Sequence, residues 1–373
     1  MKTRLKNLIE ISQYFGNNPD YVIAGGGNTS LKDDNYLWIK ASGTSLATIT
    51  EDGFVKMDRN GLRKISEKKY SSNPFQRETE IINELFSCVA ENSLKRPSVE
   101  TSLHNLLNFK YVVHTHPTLV NGLMCSNNCR EETLAIFGRD TLIIEYTDPG
   151  YILFKFVEKK ISEYIKQFRK EPQLIFLENH GVFVSGNTIS EIKEIYNNLS
   201  EKISEKILHE IPSNHFTNSG STQLSDSISR EFNINAKHFQ SKLIHEFTKD
   251  REAFSQVKTA FTPDNIVYCK AHYLFTSRDL QQQINDYKGF EKKYRYQPKV
   301  IAIEKSGIIC LEENENSLKT VLDVFVDMLK ISYYSRNFGG PRFMTPMQIE
   351  FIENWEVENY RRKIAKTNDD LRM

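Results

Sequence analysis

The segment Val112-Val113-His114-Thr115-His116-Pro117 constrains this chain more than any other. An apolar approach into His-x-His reads as a buried strand that delivers two ligands. Side chains alternate faces along a strand, so His114 and His116 point the same way, close enough to share one ion. Neutral imidazole is the commonest metal ligand and suits zinc and its first-row neighbours. Taken alone, the pair also fits two unrelated histidines at a strand end. A third histidine favours the ligand reading. Glu178-Asn179-His180-Gly181 joins one apolar run, 174–177, to another, 182–184, and Gly181 permits the close backbone turn such a junction needs. Three histidines with an open fourth position are the geometry of catalytic rather than structural zinc.

Up to about residue 210, short β-rich runs alternate with helical stretches, which predicts an α/β domain. Strands are expected at 21–24, 36–40, 111–116, 141–146, 174–177 and 182–184. Helices are expected near 75–91, 101–107, 153–169 and 189–208. Asn73 and Pro74 supply the cap and first position of the first of these. Ile192, Ile195, Leu199 and Ile203 give the last one its core-facing stripe. Residues 1–15 mix Lys and Arg with Leu and Ile and read as an amphipathic helix stopping at Gly16, not as a signal peptide.

Pro, Ser, Asn, Thr and Gly dominate 211–225, which reads as a linker between a domain at 1–210 and a smaller α/β domain at 226–373. The second domain is expected to contain a helix at 228–249, a strand at 265–270 and then a polar helix. A hairpin of 299–304 and 307–312 turning at Ser306 and Gly307 follows, with helices at 317–335 and 346–366. A length of 373 residues accommodates two such domains. The net charge of +1 argues against a dedicated nucleic-acid binder. No run approaches the roughly 20 apolar residues that span a bilayer. The five cysteines (Cys88, Cys125, Cys129, Cys269 and Cys310) are odd in number and scattered, so a reducing, cytoplasmic setting is expected. Cys125 and Cys129 have the spacing of a metal clip, but no second pair completes it, and ordinary buried thiols are the other reading.

Two further segments carry chemistry. Pro97-Ser98-Val99-Glu100-Thr101-Ser102-Leu103-His104 reads as a loop entering a helix at Ser98, with Glu100 in the first turn. A carboxylate there is favoured by the helix dipole and, beside a metal, can ligate it or move a proton. The alternative is a Glu that only stabilises its helix. His104, one turn later, reads as a packing or surface histidine. Gly25-Gly26-Gly27-Asn28-Thr29-Ser30 precedes Trp38-Ile39-Lys40-Ala41-Ser42-Gly43-Thr44-Ser45. Exposed backbone N–H groups, the neutral donors Asn28, Thr29 and Ser42, and the charge of Lys40 suit a phosphate. The pattern is neither a P-loop nor a dinucleotide fingerprint, and a glycine-rich hairpin fits the spacing equally well.

Taken in order and spacing, GGGNTS, KASGTS, SVET, VVHTHP and ENHG resemble the class II aldolase/adducin family over about residues 5–208. The resemblance implies a three-layer α/β/α domain in a cyclic homotetramer, with active sites at subunit contacts. It implies zinc, or else manganese, cobalt or iron, on His114, His116 and His180, with Glu100 as the acidic catalytic residue and a further metal contact. It places phosphate contacts at Asn28, Thr29, Ser42, Gly43 and Ser98, beside the charge of Lys40. Val99 stands where several relatives carry a second serine, which reduces the contacts expected there. Tyr151, after Asp148-Pro149-Gly150, is the candidate for a tyrosine that the family draws from a neighbouring subunit. The Thr262-Pro263-Asp264-Asn265 segment, the 298–311 region and the helix containing Trp355 resemble the connecting region of bifunctional rhamnulose-phosphate aldolase/alcohol dehydrogenases. A separate dehydrogenase is therefore an expected partner. The implied reaction cleaves a phosphorylated sugar, a ketose 1-phosphate, to dihydroxyacetone phosphate and an aldehyde such as lactaldehyde. Pentose-phosphate 4-epimerase and sugar-acid dehydratase or decarboxylase chemistry use the same site; adducin-like binding proteins lack it.

Overall fold

The protein is described by a computed structural model that covers every residue except 1, 91–92, 94, 219–221 and 356–373. Two compact units emerge. One comprises the residues up to Met124 with Cys129–Lys206; the other takes Cys125–Asn128 and the chain from Ile207 onward. The 211–225 stretch thus falls within the second unit.

The first unit is built on a seven-stranded sheet in the order β3-β2-β1-β4-β7-β6-β5. Its strands are β1 (Asn28–Lys32), β2 (Tyr36–Lys40), β3 (Phe54–Asp58), β4 (Tyr111–Thr115), β5 (Leu142–Ile144), β6 (Leu174–Leu177) and β7 (Gly181–Gly186). All neighbours are antiparallel except β5 and β6. Helices α1 (Lys2–Gly16), α2 (Arg59–Glu67), α3 (Pro74–Ser87), α4 (Thr101–Leu106), α5 (Thr118–Met124), α6 (Cys129–Phe137), α7 (Tyr151–Phe168) and α8 (Ile189–Ser204) accompany it. On one face, Leu37, Ile39, Val55 and Met57 pack against α2 and α3, and Val112, Ile175 and Phe183 against α4 and α7. On the other, Thr29 meets Ser12 of α1, and Thr115 meets Tyr196 of α8. Covering both faces buries the sheet and gives the three layers. Every residue of β1, β4 and β7 is buried.

The expected strand at 21–24 is absent. Turns occupy this stretch, held by Asn18 O accepting from Tyr21 N–H and Val22 N–H, and positive φ at Ala24 and Gly27 delays the strand to Asn28. Asn73 caps α3 through Gln76 N–H with Pro74 at its first position; α3 ends at Ser87, and Glu91 lies outside the described residues.

The second unit contains α9 (Gln223–Phe232), α10 (Lys242–Thr248), α11 (Arg251–Ser255), α12 (Pro263–Cys269), α13 (Leu280–Tyr294), α14 (Glu315–Ser335) and α15 (Pro346–Asn354). Its strands are β8 (Thr217–Asn218), β9 (Asn235–Gln240), β10 (Leu274–Thr276), β11 (Val300–Ile303) and β12 (Gly307–Glu312), in the order β10-β11-β12-β9-β8. The α/β character holds, but two elements differ from expectation. The helix expected at 228–249 is a helix, a strand and a second helix, because Asn233 turns left-handed (φ 51°) and ends α9. The strand expected at 265–270 is α12. Thr262 and Asn265 form a capping box there and Pro263 opens the first turn, which outweighs the β-branched Ile266 and Val267. The β11–β12 hairpin is present, with Glu304, Lys305 and Ser306 between its strands. The last expected helix is seen to Asn354, and its remainder to 366 lies outside the described residues beyond 355.

Candidate active site

Three adjacent central strands assemble the site. In the register of β4, Asn28 of β1 lies opposite His114, and Phe183 of β7 lies opposite it on the other side. His116 follows one residue beyond β4, and His180 immediately precedes β7. The ligand atoms of His114, His116 and His180 all lie within 4.8 Å of one another. Glycine shapes this corner twice. A side chain at Gly181 would stand 2.4 Å from Thr115 O and 2.9 Å from the His116 ring, and one at Gly27 would stand 2.8 Å from His114 O.

His114 is fully buried, stacked on Phe183 at 4.1 Å. Its Nδ1 lies 3.0 Å from Val182 O. A carbonyl only accepts, so Nδ1 carries the proton and the Nε2 lone pair faces the other histidines. His116 Nε2 is 3.0 Å from that atom. Glu100 Oε1 lies 3.5 Å from His114 Nε2 and 3.8 Å from His180 Nε2. This oxygen is buried and has no hydrogen-bond partner among the described residues. Three imidazoles whose ligand atoms gather beside a buried carboxylate oxygen that lacks a hydrogen-bond partner are a donor set that fits a divalent cation.

Glu100 itself departs from expectation. It stands just before α4 rather than in its first turn, and its carboxylate does not cap the helix. Oε2 instead accepts from Asn28 Nδ2. Sequence reasoning missed what lies behind this contact. His104 is wholly buried, not a surface residue, with Nδ1 2.7 Å from Ser30 Oγ and Nε2 against Asn28 Oδ1. Because Asn28 donates to the carboxylate, its Oδ1 must accept; His104 Nε2 therefore holds the proton, and Nδ1 accepts from Ser30. Burial, followed by Lys32 and His114, lowers the His104 pKa well below its ordinary range, so the ring is neutral. The Ser30–His104–Asn28–Glu100 chain fixes which carboxylate oxygen faces the histidines. The signal in the sequence was the Glu100-to-His104 spacing of one helical turn, but the partners lie 74 and 76 residues away. Asn121 of α5, also missed, donates to His180 O at 3.3 Å.

The expected phosphate residues divide. Ser98 Oγ accepts from Asn28 Nδ2 (3.4 Å) and Glu100 N–H (3.2 Å), leaving its own proton to donate. Ser42 and Gly43 belong to a loop tied to this segment by Ser42 N–H donating to Arg96 O and by the Ala41–Pro97 bridge. Lys40 is buried, and its ammonium donates to Thr44 O (2.8 Å) and Gly25 O (3.3 Å), clamping the glycine turn to the 41–45 loop. The Thr29 side chain is on the opposite face of the sheet, 2.6 Å from Ser12 Oγ, and does not join the site. Tyr151 is not gathered with the histidines of its own chain; its ring meets Tyr70 and Phe154, and its N–H donates to Glu78. All five cysteines are buried thiols, Cys125 and Cys129 among them.

The fold and site thus define an α/β protein with a three-histidine, one-carboxylate centre at the end of its central strands. The chain belongs to the class II aldolase and adducin family: the model of the class II aldolase and adducin N-terminal domain matches residues 6–204. It is 26% identical over 224 residues to the uncharacterized oxidoreductase YuxG of Bacillus subtilis, covering 56% of this chain but 31% of that protein. It is 22% identical over 179 residues to the L-fuculose phosphate aldolase of Methanocaldococcus jannaschii, covering 45% of this chain and 77% of that one. Among solved structures, the N-terminal class II aldolase domain of a conserved Thermoplasma acidophilum protein aligns with a TM-score of 0.47 at 25% identity. That alignment covers 55% of this chain and 94% of the other.

Proposed function

We propose that this protein is a metal-dependent aldolase that cleaves a ketose 1-phosphate to dihydroxyacetone phosphate and an aldehyde such as lactaldehyde. The observation that carries this reading is the buried, unsatisfied Glu100 Oε1 aimed at His114 and His180. His114, His116 and His180 hold the ion, zinc by donor type or else manganese, cobalt or iron, with Glu100 beside them. A divalent ion there supplies Lewis-acid polarisation of the sugar's carbonyl oxygen. Ser98, Ser42 and Gly43 anchor the phosphate, with Lys40 shaping the loops, and so fix the distance from phosphate to reacting carbon. As the C3–C4 bond breaks, the C4 hydroxyl gives up its proton to solvent and C4 becomes the aldehyde carbon, while Glu100 takes up one proton from solvent in exchange. The electron pair left on C3 takes a proton, which Glu100 delivers. Asn28 holds the other carboxylate oxygen throughout. Tyr151 would act only from a neighbouring copy in a homotetramer. The oxidoreductase name of the Bacillus relative makes a separate dehydrogenase a reasonable consumer of the aldehyde.

The test pairs elemental analysis with cleavage assays on rhamnulose and fuculose 1-phosphates. One divalent ion per chain, with dihydroxyacetone phosphate released and both lost in His116→Ala, supports the reading. Metal without cleavage redirects it to epimerase or dehydratase chemistry. No metal under any loading condition refutes it and leaves a binding protein of the adducin kind.

A further inference from the structure

The second unit holds a cavity of about 610 Å³ between α11, β10 and α13. That volume lies within the roughly 300–1,000 Å³ range of small-molecule sites. Its chemistry is lopsided. Arg251, Lys258 and Lys293 line it against a single acid, Asp286. The acid is already engaged, accepting from Thr276 Oγ1 and Gln282 Nε2 at 2.7 Å each. None of the three cations has an ion-pair partner among the described residues. Between them stand aromatic walls. Phe254 and Phe275 pack at 5.1 Å, with the Arg251 guanidinium 5.2 Å above the Phe275 ring. His272, which also lines the cavity, stacks on Tyr294 at 4.2 Å. Burial, then the neighbouring Lys293, lowers the His272 pKa, in keeping with a positive field.

A second observation points the same way. Gly289 lies inside α13 and lines the cavity. Glycine in a helix interior costs about 1 kcal/mol relative to alanine, and close packing is the usual reason to keep one. Here a side chain would meet nothing within 4 Å. The missing side chain keeps space open in the cavity rather than relieving a clash.

We propose that this cavity binds an organic phosphate carried on a flat aromatic body, of the size of a nucleoside monophosphate. The aromatic walls take the flat body, and Arg251, Lys258 and Lys293 take the phosphate. The proposal is independent of the chemistry at the histidines.

Calorimetric titration of the full chain with AMP, adenosine and inorganic phosphate tests it, because the three probes separate body from anion. AMP is expected to bind at least about tenfold more tightly than either fragment. Arg251→Glu with Lys293→Glu, both exposed, should weaken AMP by about tenfold or more. Gly289→Leu should fill the cavity and abolish binding while raising thermal stability, since leucine is the better helix former. His114→Ala should leave AMP binding intact. The proposal is overturned if AMP fails to saturate the chain by roughly 10 mM. It is overturned equally if binding survives Gly289→Leu, or if binding is lost in His114→Ala and kept in the charge reversals, which would put the anion in the first unit.

Discussion

His104→Phe tests the logic of the site more sharply than removal of any of the three histidines gathered there. Phenylalanine keeps the ring volume and its edge contact with Phe183, which His104 makes at 5.4 Å. It removes both nitrogens. Asn28 Oδ1 then loses its donor and Ser30 Oγ loses its acceptor, both in residues at most 5% exposed. An orphaned buried polar group costs about 1–3 kcal/mol, so the pair should lower the unfolding free energy by roughly 2–6 kcal/mol unless Asn28 rotates. Rotation exchanges one cost for another, because it turns Oδ1 toward the Glu100 carboxylate. His104→Gln keeps an N–H near the position of Nε2 and should recover most of the loss, leaving about 1 kcal/mol for the Ser30 contact. Urea unfolding gives the stabilities, and zinc competition with a chromophoric chelator gives the metal affinity. If His104 acts through Asn28, the double-mutant cycle of His104→Phe with Asn28→Ala shows a coupling of about 1 kcal/mol or more. Loss of the aligned carboxylate should also lower kcat about tenfold or more with a smaller change in KM, since tenfold is about 1.4 kcal/mol. A His104→Phe protein within about 0.5 kcal/mol of the parent, with unchanged zinc affinity, would refute the reasoning.

Four further outcomes follow from neighbouring residues. Thr29→Val should cost about 1 kcal/mol in urea unfolding through the lost Ser12 contact, yet leave metal content unchanged. Gly181→Ala drives a methyl into Thr115 O and the His116 ring, so a destabilisation of about 1–3 kcal/mol and weaker zinc binding are expected in the same chelator assay. Lys40→Met should raise KM for a sugar phosphate with little effect on metal content, because the ammonium joins two loops by donating to Gly25 O and Thr44 O. Burial lowers the pKa of His238 in the second unit. Below its ordinary value of about 6.5 the unfolded chain binds the proton first, so stability contributed by the neutral ring is lost on acidification through that window. His238→Gln should flatten the dependence of unfolding free energy on pH between roughly 7 and 5.

What was legible in the sequence depended on how far apart the interacting residues lie. The strand period put His114 and His116 on one face without knowledge of any partner strand. The α3 cap at Asn73 and Pro74 is local too. The expected strand at 265–270 misled because all of Asn265, Ile266, Val267, Tyr268 and Cys269 are buried, which erases the 3.6-residue stripe. The capping signals Thr262, Pro263 and Asn265 were present and more informative than the β-branched run. His104 could not be read from its helix, because its function comes from Asn28 and Ser30 on a strand far away in the chain.

Thr29 and Asn28 show why motif membership does not fix a residue's role. Both belong to the same Gly-rich segment, and both offer hydrogen-bonding side chains. Once β1 pairs Asn28 with His114 and Thr29 with Val113, adjacent residues are committed to opposite faces. Asn28 and Ser30 turn to His104 and Glu100, while Thr29 turns to Ser12 of α1. A one-residue slip of β1 would exchange these faces, putting Gly27 or Thr29 where Asn28 meets Glu100 and removing the amide that orients it. The glycines before β1 help set this register: a side chain at Gly27 would collide with His114 O, the carbonyl of the residue paired with Asn28. Backbone fit at Gly27 therefore determines carboxylate orientation at Glu100, through a strand register that neither residue reveals alone.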